Sequence, residues 1–488
     1  MMKFSSIVLR NSAYGMAAQM TIKVLSFIFS VAVIRNLGAE SFGQYTAVIA
    51  FGAIFMILSD LGLSPYMVRE IARFRDEPDG RQRAEKLFSN VVYLRLGLSV
   101  VTALITIFAA WLTGRPLVMI GAIALSSFGL FLYAAQASAD ALLAGYERFG
   151  AASAAKVVNQ VTFVLLGGLA LYMGFGYYGL IAASLVGISL MTIVTWRRAR
   201  RLDIGLVGVD LRGWPRLLRA SLPFALIGFA LGLSYKFDTV LLNIFRSDAE
   251  TGYYNAAYNL VLSAVVISNV VNTALYPSLT RRSEQTPAEM PALYERVLRY
   301  LLILALPIAF GGWALADSLI QFLYSADYQP AALAFKVLVW VLPFMFASEF
   351  LGYIILIRNQ ERRVGRSILV STTFNVLFNL LLVPRFGFRA AAFMTVVTEA
   401  ILVLQHLWTL RDLVPRFNWA AVLLRPLAAA ALMAAVVLAT RPYLSIFMSI
   451  GLGAAAYAVV GFALGLFGKD EQRFLRSLFP KKELAPTE

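Results

Sequence analysis

The chain has 488 residues, 60% of them apolar and only 14% charged, with a mean hydropathy of +0.73; soluble domains carry nearer a quarter charged residues, so this chain is built for a non-aqueous solvent. The formal net charge of +16 does not read as nucleic-acid binding, because the basic residues fall between apolar runs rather than in patches with stacking aromatics. No cysteine and a single histidine, His406, exclude disulfides and thiolate sites and argue against a His-rich metal site, so no cofactor or metal is called for.

In chain order, the first apolar run follows Lys3 and Arg10 but contains Gln19 and Lys23 and has no small-x-small cleavage site. It reads as a retained span over 12–34, not a signal peptide. Apolar windows of about 20 residues then place spans at 44–67, 88–112, 117–138, 151–172, 177–196, 219–243, 253–276, 294–316, 332–356, 364–383, 388–410, 419–440 and 443–467. The fold class is therefore all-α and polytopic, with about 14 transmembrane helices. Most basic residues, among them Arg69 to Lys86, the cluster Arg197, Arg198, Arg200 and Arg201, Arg281, Arg282, Arg362, Arg363, Lys481 and Lys482, fall on one side when the N-terminus starts in the cytoplasm. Both termini are then cytoplasmic. Thr286-Pro287-Ala288-Glu289 fits a capping box opening a short helix before the ninth span. The tail over 469–488 alternates apolar and basic residues and fits either an interfacial helix or a solvated tail. Connectors on the outer side are too short for an external catalytic domain.

A faint internal repeat is present. Gly43-Gln44-Tyr45 opens the second span and Gly252-Tyr253-Tyr254 the eighth; Pro65 and Arg69 close the one as Pro277 and Arg281 close the other. Six helices separate the copies, so the halves are parallel repeats about an axis along the membrane normal, a plan in which substrate sits between the halves. The expected domains are a six-helix bundle over 1–200, a second over 201–412, two additional spans over 413–468 and a basic tail over 469–488.

Ionisable residues inside spans are functional candidates by default. Gln19, Lys23, Ser26 and Ser30 share one face of the first span, and Lys236, Thr239 and Asn243 one face of the seventh. Each stripe lines either a water-filled cavity or a buried polar seam. Asp238 lies on the other side of the seventh span from Lys236. Asn255, Asn259 and Ser263 in the eighth span, and Ser367, Ser371, Asn375 and Asn379 in the eleventh, serve equally well as cavity lining or as helix glue. Asp60, Glu349 and Glu399 are acids in the second, tenth and twelfth spans; with Asp238 they are candidates for ion coupling or for charge pairing. Arg95 reads as snorkelling to the inner surface and His406 as interfacial. A deep lysine in each half suits an anionic substrate such as a phosphate, pyrophosphate or carboxylate. No Walker A, HExxH or GxSxG motif is present, which leaves an ATP-driven pump or zinc protease without support.

These residues resemble the Wzx-type polysaccharide flippases of the multidrug/oligosaccharidyl-lipid/polysaccharide exporter superfamily. Arg35-Asn36-Leu37-Gly38 with Phe42-Gly43-Gln44-Tyr45 resembles that family's first external turn. Asp60-Leu61-Gly62-Leu63 through Arg69-Glu70-Ile71-Ala72 resembles the end of its second helix. Ser221-Leu222-Pro223, Lys236-x-Asp238 and the Gly252 turn resemble the start of its second half, and Asn375 to Asn379 with Pro384, Gly387 and Ala390-Ala391-Ala392 its eleventh-to-twelfth joint. The resemblance implies a non-enzymatic transporter of the bacterial inner membrane. Its cargo would be an oligosaccharide on undecaprenyl pyrophosphate, flipped by alternating access. Membrane lipid, a polysaccharide polymerase and chain-length proteins would be its partners, and nucleic acid would not. It gives Lys236, and with it Lys23, the role of holding pyrophosphate or sugar acids; the polar stripes add Gln19, Asn243, Asn375 and Asn379 as further cavity candidates. At Lys236 the family often has Arg, whose bidentate fork Lys lacks. The rival readings are a lipid II flippase or drug/cation antiporter of the same superfamily, a membrane polysaccharide polymerase or ligase, and a non-transporting scaffold.

Overall fold

A computed structural model describes residues 2–413 and 416–466, with no strand among them; the basic tail lies outside the described residues. Helix α1 runs Met2–Asp60, about 90 Å at 1.5 Å per residue, roughly three times a bilayer's hydrocarbon thickness. It is therefore not one span. Gly38 breaks it at φ 71°, ψ 169°, a positive-φ conformation that carries no steric penalty for glycine. The helix ends at a corner formed by Leu61 and Gly62, both at positive φ. Helix α2 (Leu63–Phe74) then buries Leu63, Met67, Ile71 and Phe74, spaced at helical period along one face.

The chain forms two compact units, one of residues 1–259 and 372–391, the other of 260–371 and 392–488. In the first unit, α2 packs on α3 (Gly80–Leu112) and α4 (Leu117–Gly145) through Met67, Ile71, Phe88, Val91 and Leu142. A second cluster joins Val48 and Phe51 of α1, Ile123 of α4 and Ile181 of α6 (Gly176–Ala199); α5 (Phe149–Tyr172) lies before α6. The segment after α6 is pinned to α3: Val207 N donates to Ser89 Oγ (2.8 Å), and Asp210 N and Trp214 Nε1 donate to Asn90 Oδ1 (3.0 and 3.1 Å). Helix α7 (Trp214–Phe245) follows, then α8 (Asp248–Gln285).

The second unit contains α9 (Met290–Ala314), α10 (Ala316–Leu323), α11 (Ala331–Leu338) and α12 (Val341–Ile357), then the start of α13 (Glu361–Phe386) and most of α14 (Phe388–Thr409). Helices α15 (Arg425–Thr440) and α16 (Ile446–Ala463) complete it. Tyr457 Oη of α16 donates to Ile303 O of α9 at 2.9 Å. Asp317 accepts two hydrogen bonds from Lys336 Nζ, at 3.0 and 2.9 Å. Arg358 holds Asp412 with two parallel bonds of 3.0 and 2.6 Å.

Among the described residues, 11 helices are long and apolar enough to cross a membrane, or up to 12 if the bent pair α11 and α12 is one span. This count is not the expected fourteen. The expected spans 12–34, from residue 22 on, and 44–67 are joined across the break at Gly38 in a single 53-residue candidate, Ile22–Phe74. The expected span 332–356 is the bent pair. The helix α7 covers 219–243 but is not among the 11. Large apolar side chains such as Leu104, Phe108, Leu165, Leu381 and Val459 are exposed, as lipid contact requires and water would penalise. The expected capping box does not form. Thr286 Oγ1 donates back to Arg282 O (3.3 Å), and a 3₁₀ turn at Pro287–Glu289 leads into α9.

Candidate functional site

The structure divides the ionisable residues of the spans into those that are paired and those that are not. Asp60 is paired. Arg95 of α3, 1% exposed, makes an ion pair with it and donates to Ser64 Oγ at 2.6 Å and Ser138 Oγ at 3.1 Å. Arg95 therefore does not snorkel. Its guanidinium is buried against the acid at the end of α1, where one charge offsets the other. Ser64 N and Oγ also reach Asp60 Oδ1, each at 3.2 Å, so the corner at Leu61 and Gly62 is tied down on both sides.

Asp238 is engaged without a lysine. It is 5% exposed and accepts from Tyr254 Oη of α8 (2.8 Å) and Asn379 Nδ2 of α13 (2.9 Å). Thr239 Oγ1 donates to Asn255 Oδ1 at 3.0 Å. Ser367, Ser371, Asn375 and Asn379 are all buried, so this face of α13 is covered along its length. Asn379 turns its amide to Asp238.

Asn243 is also buried and belongs to a network at the α7–α8 turn. Arg115, between α3 and α4, donates to Asn243 O (2.5 Å) and Oδ1 (2.9 Å). Asn243 Nδ2 donates to Asp248 Oδ1 (2.6 Å), and Gln44 Nε2 to Asp248 Oδ2 (2.9 Å). Beside it the two repeat glycines pack reciprocally. A Cβ on Gly43 would lie 1.7 Å from Asp248 O, and one on Gly252 would lie 2.0 Å from Ala39 O. Each glycine thus abuts the residue four before its counterpart, the self-complementary pattern of a two-fold contact. Arg115, Gln44 and Asp248 were not legible as partners from the sequence, since Arg115 and Asp248 lie between the apolar windows and Gln44 only opens one.

The lysines differ from the acids. Lys23 is exposed and Lys236 half-buried, and neither makes an ion pair or hydrogen bond with a described residue. The side chain of Gln19 lies outside the described residues. Along the same face of α1, Ser30 Oγ donates to Phe27 O (2.7 Å) and accepts from Asn259 Nδ2 (2.7 Å).

In the second unit, Glu349 of α12 and Glu399 of α14 are half-buried. Ser268 Oγ lies 2.7 Å from Glu349 Oε2, and Ser348 Oγ lies 2.6 Å from Glu399 Oε1. His406 is 3% exposed, so it is not interfacial; its Nδ1 is 3.0 Å from Ser348 O. No group of three or more His, Cys, Asp and Glu that could hold a metal occurs among the described residues.

Residues 8–283, more than half of the chain, match the family described as polysaccharide biosynthesis protein. The probable low-salt glycan biosynthesis flippase Agl15 of Haloferax volcanii is 20% identical over 375 residues, 76% of this chain and 77% of that protein. The lipid II flippase MurJ in an inward closed conformation superposes with a TM-score of 0.77 at 14% identity, covering 96% of this chain and 99% of MurJ. An inward-facing multidrug resistance transporter of the MATE family, of the MOP superfamily, gives 0.67 at 14% identity, covering 82% of this chain and 98% of that one. The fold is that of MOP-superfamily transporters, and these relatives are named as flippases and transporters, not enzymes.

Proposed function

The chain belongs to the polysaccharide biosynthesis protein family, and on that premise we propose that it flips an oligosaccharide repeat unit linked to polyprenyl pyrophosphate from the inner to the outer leaflet of a plasma membrane. One observation carries the reading: in the first unit Asp60 and Asp238 have partners, while Lys23 and Lys236 make no ion pair with a described residue. Unpaired cations at membrane depth call for an anion. A pyrophosphate supplies several charge-assisted acceptors at once, and its lipid chain remains in the bilayer. Lys236, on the helix after the pinned segment 200–213, would meet the diphosphate as a flexible point charge. Lys23 would serve the diphosphate or acidic sugars. Alternating access would then carry the headgroup across without covalent chemistry, both termini facing the cytoplasm.

The test uses a strain lacking its own flippase for such a cargo. Lys236→Ala is expected to abolish surface polymer while membrane levels of the protein hold, and Lys236→Arg to restore it. Wild-type polymer from Lys236→Ala would overturn the assignment. A lipid II cargo is the second reading, favoured by the nearly full-length superposition on MurJ. It predicts rescue of a strain lacking its lipid II flippase, which the first reading does not.

A further inference from the structure

The linker between α6 and α7 carries a charge excess that nothing around it balances. Residues 197–219 hold seven arginines, no lysine and two acids, Asp203 and Asp210. Each of those arginines is exposed, and none makes an ion pair or a side-chain hydrogen bond with a described residue. The neighbouring corner between α2 and α3 is built differently. There Arg69 pairs with Glu70 (3.0 Å), Arg75 with Glu147 (2.8 Å), Arg81 with Glu85 (3.3 Å) and Arg83 with Glu77. The two segments touch, since Arg81 Nη2 donates to Asp203 O at 2.6 Å. Orientation in the membrane is set by basic residues whether or not acids accompany them, so it does not account for one segment being matched and the next left open.

Between the arginines the linker is apolar, and its apolar side chains are held outward. Ile204 enters the core cluster of α2, α3 and α4, and the backbone at Val207 and Asp210 is fixed on the buried Ser89 and Asn90. Leu206, Val207, Val209 and Leu211 nevertheless remain exposed, Leu211 at 64%. Four such side chains within six residues form a patch that water penalises. Its depth is set by its neighbours. The linker begins where the candidate span Gly176–Leu202 ends, with Trp196 in the last turn of α6 and Trp214 opening α7. Tryptophans at span ends mark the boundary between hydrocarbon and headgroups. Apolar side chains beside surplus basic ones are the makeup of a segment lying in that boundary. The choice of arginine bears on the occupant, because a guanidinium forks onto two phosphate oxygens and an ammonium does not. A run of about four to eight basic residues beside a span is also the size of patch that holds anionic headgroups.

We propose that the α6–α7 linker is a binding site for anionic phospholipid, its exposed apolar side chains in the acyl boundary and its arginines on the headgroup phosphates of the adjacent leaflet. The site does not depend on which cargo the protein carries. The chain has no cysteine, so Leu211→Cys accepts a single polarity-sensitive fluorophore. The full chain is placed in nanodiscs of phosphatidylcholine, alone or mixed with phosphatidylglycerol. Phosphatidylglycerol should shift the emission to the blue and bring the probe within reach of headgroup nitroxides, and high salt should reverse both. Arg200→Gln, Arg201→Gln, Arg212→Gln and Arg216→Gln combined should remove the response. Each alone should raise the phosphatidylglycerol needed about fivefold. Arg69→Gln with Arg83→Gln, where the arginines are already paired, should leave the response unchanged. Elution and helical circular dichroism check folding; if the combined variant does not fold, the single ones carry the test. A probe that stays in water in both nanodiscs, quenched by iodide and not by the nitroxides, leaves the surface to an acidic soluble partner and overturns the proposal. An equal shift in both nanodiscs, a response kept by the folded combined variant, or one lost with Arg69 and Arg83 overturns it too.

Discussion

Gly43 and Gly252 allow a quantitative test of how closely α1 and α8 approach. Contact between carbon and a backbone oxygen becomes ordinary at 3.4 Å, whereas a Cβ on Gly43 would sit at 1.7 Å and one on Gly252 at 2.0 Å. Gly43→Ala therefore forces a retreat of about 1.7 Å, Gly252→Ala one of about 1.4 Å, and the atoms met are backbone, which no rotamer change moves aside. Overpacking of this kind costs about 1–3 kcal/mol. Both substitutions push the same two helices apart, so the double variant should cost clearly less than the two single costs combined. Thermal unfolding in detergent measures the stability, and a cysteine at Gln44, labelled by an impermeant maleimide from either side of sealed vesicles, reports the opening. Each alanine should lower the midpoint and raise labelling. Wild-type stability and labelling in both single variants, or full additivity in the double, would refute the reciprocal contact.

Breaking the buried ion pair should be worse than removing it whole. Arg95→Ala leaves Asp60 uncompensated and should cost about 3–5 kcal/mol; Arg95→Gln with Asp60→Asn should recover a large part, as read by a double-mutant cycle on unfolding midpoints. At Gly38 a Cβ meets nothing within 4 Å, so Gly38→Ala should cost only the strain of its positive-φ extended backbone, about 1–3 kcal/mol, without changing labelling at Gln44. Arg358 outside the spans holds the Asp412 carboxyl below its usual value. A depressed carboxylate stabilises above its unfolded pKa, and the gain is lost as pH falls through the folded value. The thermal advantage of wild type over Asp412→Asn, small for so exposed a pair, should therefore be present at neutral pH, begin to fall below about pH 4, and be gone once pH has passed the lower folded value.

Hydropathy and spacing read well wherever lipid itself is the constraint. The all-helical chain, the break near Gly38, the repeat glycines and the residues embedded in the spans are all visible as composition or period. Pairing was less legible, because a partner is chosen in space. Arg95 looks like a snorkelling residue from its place near a helix start, yet Asp60 sits at the corner where α1 ends and draws it inward. His406 lies near a helix end, but a neighbouring carbonyl buries it. Thr286 sits three before a glutamate, as a capping box requires, and spends its hydroxyl on the preceding turn instead. In each case a local rule lost to a partner from another helix or turn.

The two units treat charge differently, and that difference bears on mechanism. In the first, Asp60 is held by Arg95 and Asp238 by Tyr254 and Asn379, while Lys23 and Lys236 are left over. In the second, Glu349 and Glu399 are left over, with serine hydroxyls as their donors. Hydroxyls can reverse direction and guanidinium groups cannot. Arg95 can only donate to Asp60, whereas the Ser348 hydroxyl can either donate to Glu399 or accept from it. On the proposed reading, an anionic cargo would meet the unit in which the lysines are left over. Swapping Ser348 for a residue that only accepts, Ser348→Asp, adds a third acid and should destabilise unit two at neutral pH. Ser348→Asn, which keeps both a donor and an acceptor, should be tolerated. Equal thermal midpoints for the two variants would show that hydroxyl reversibility has no part in holding Glu399.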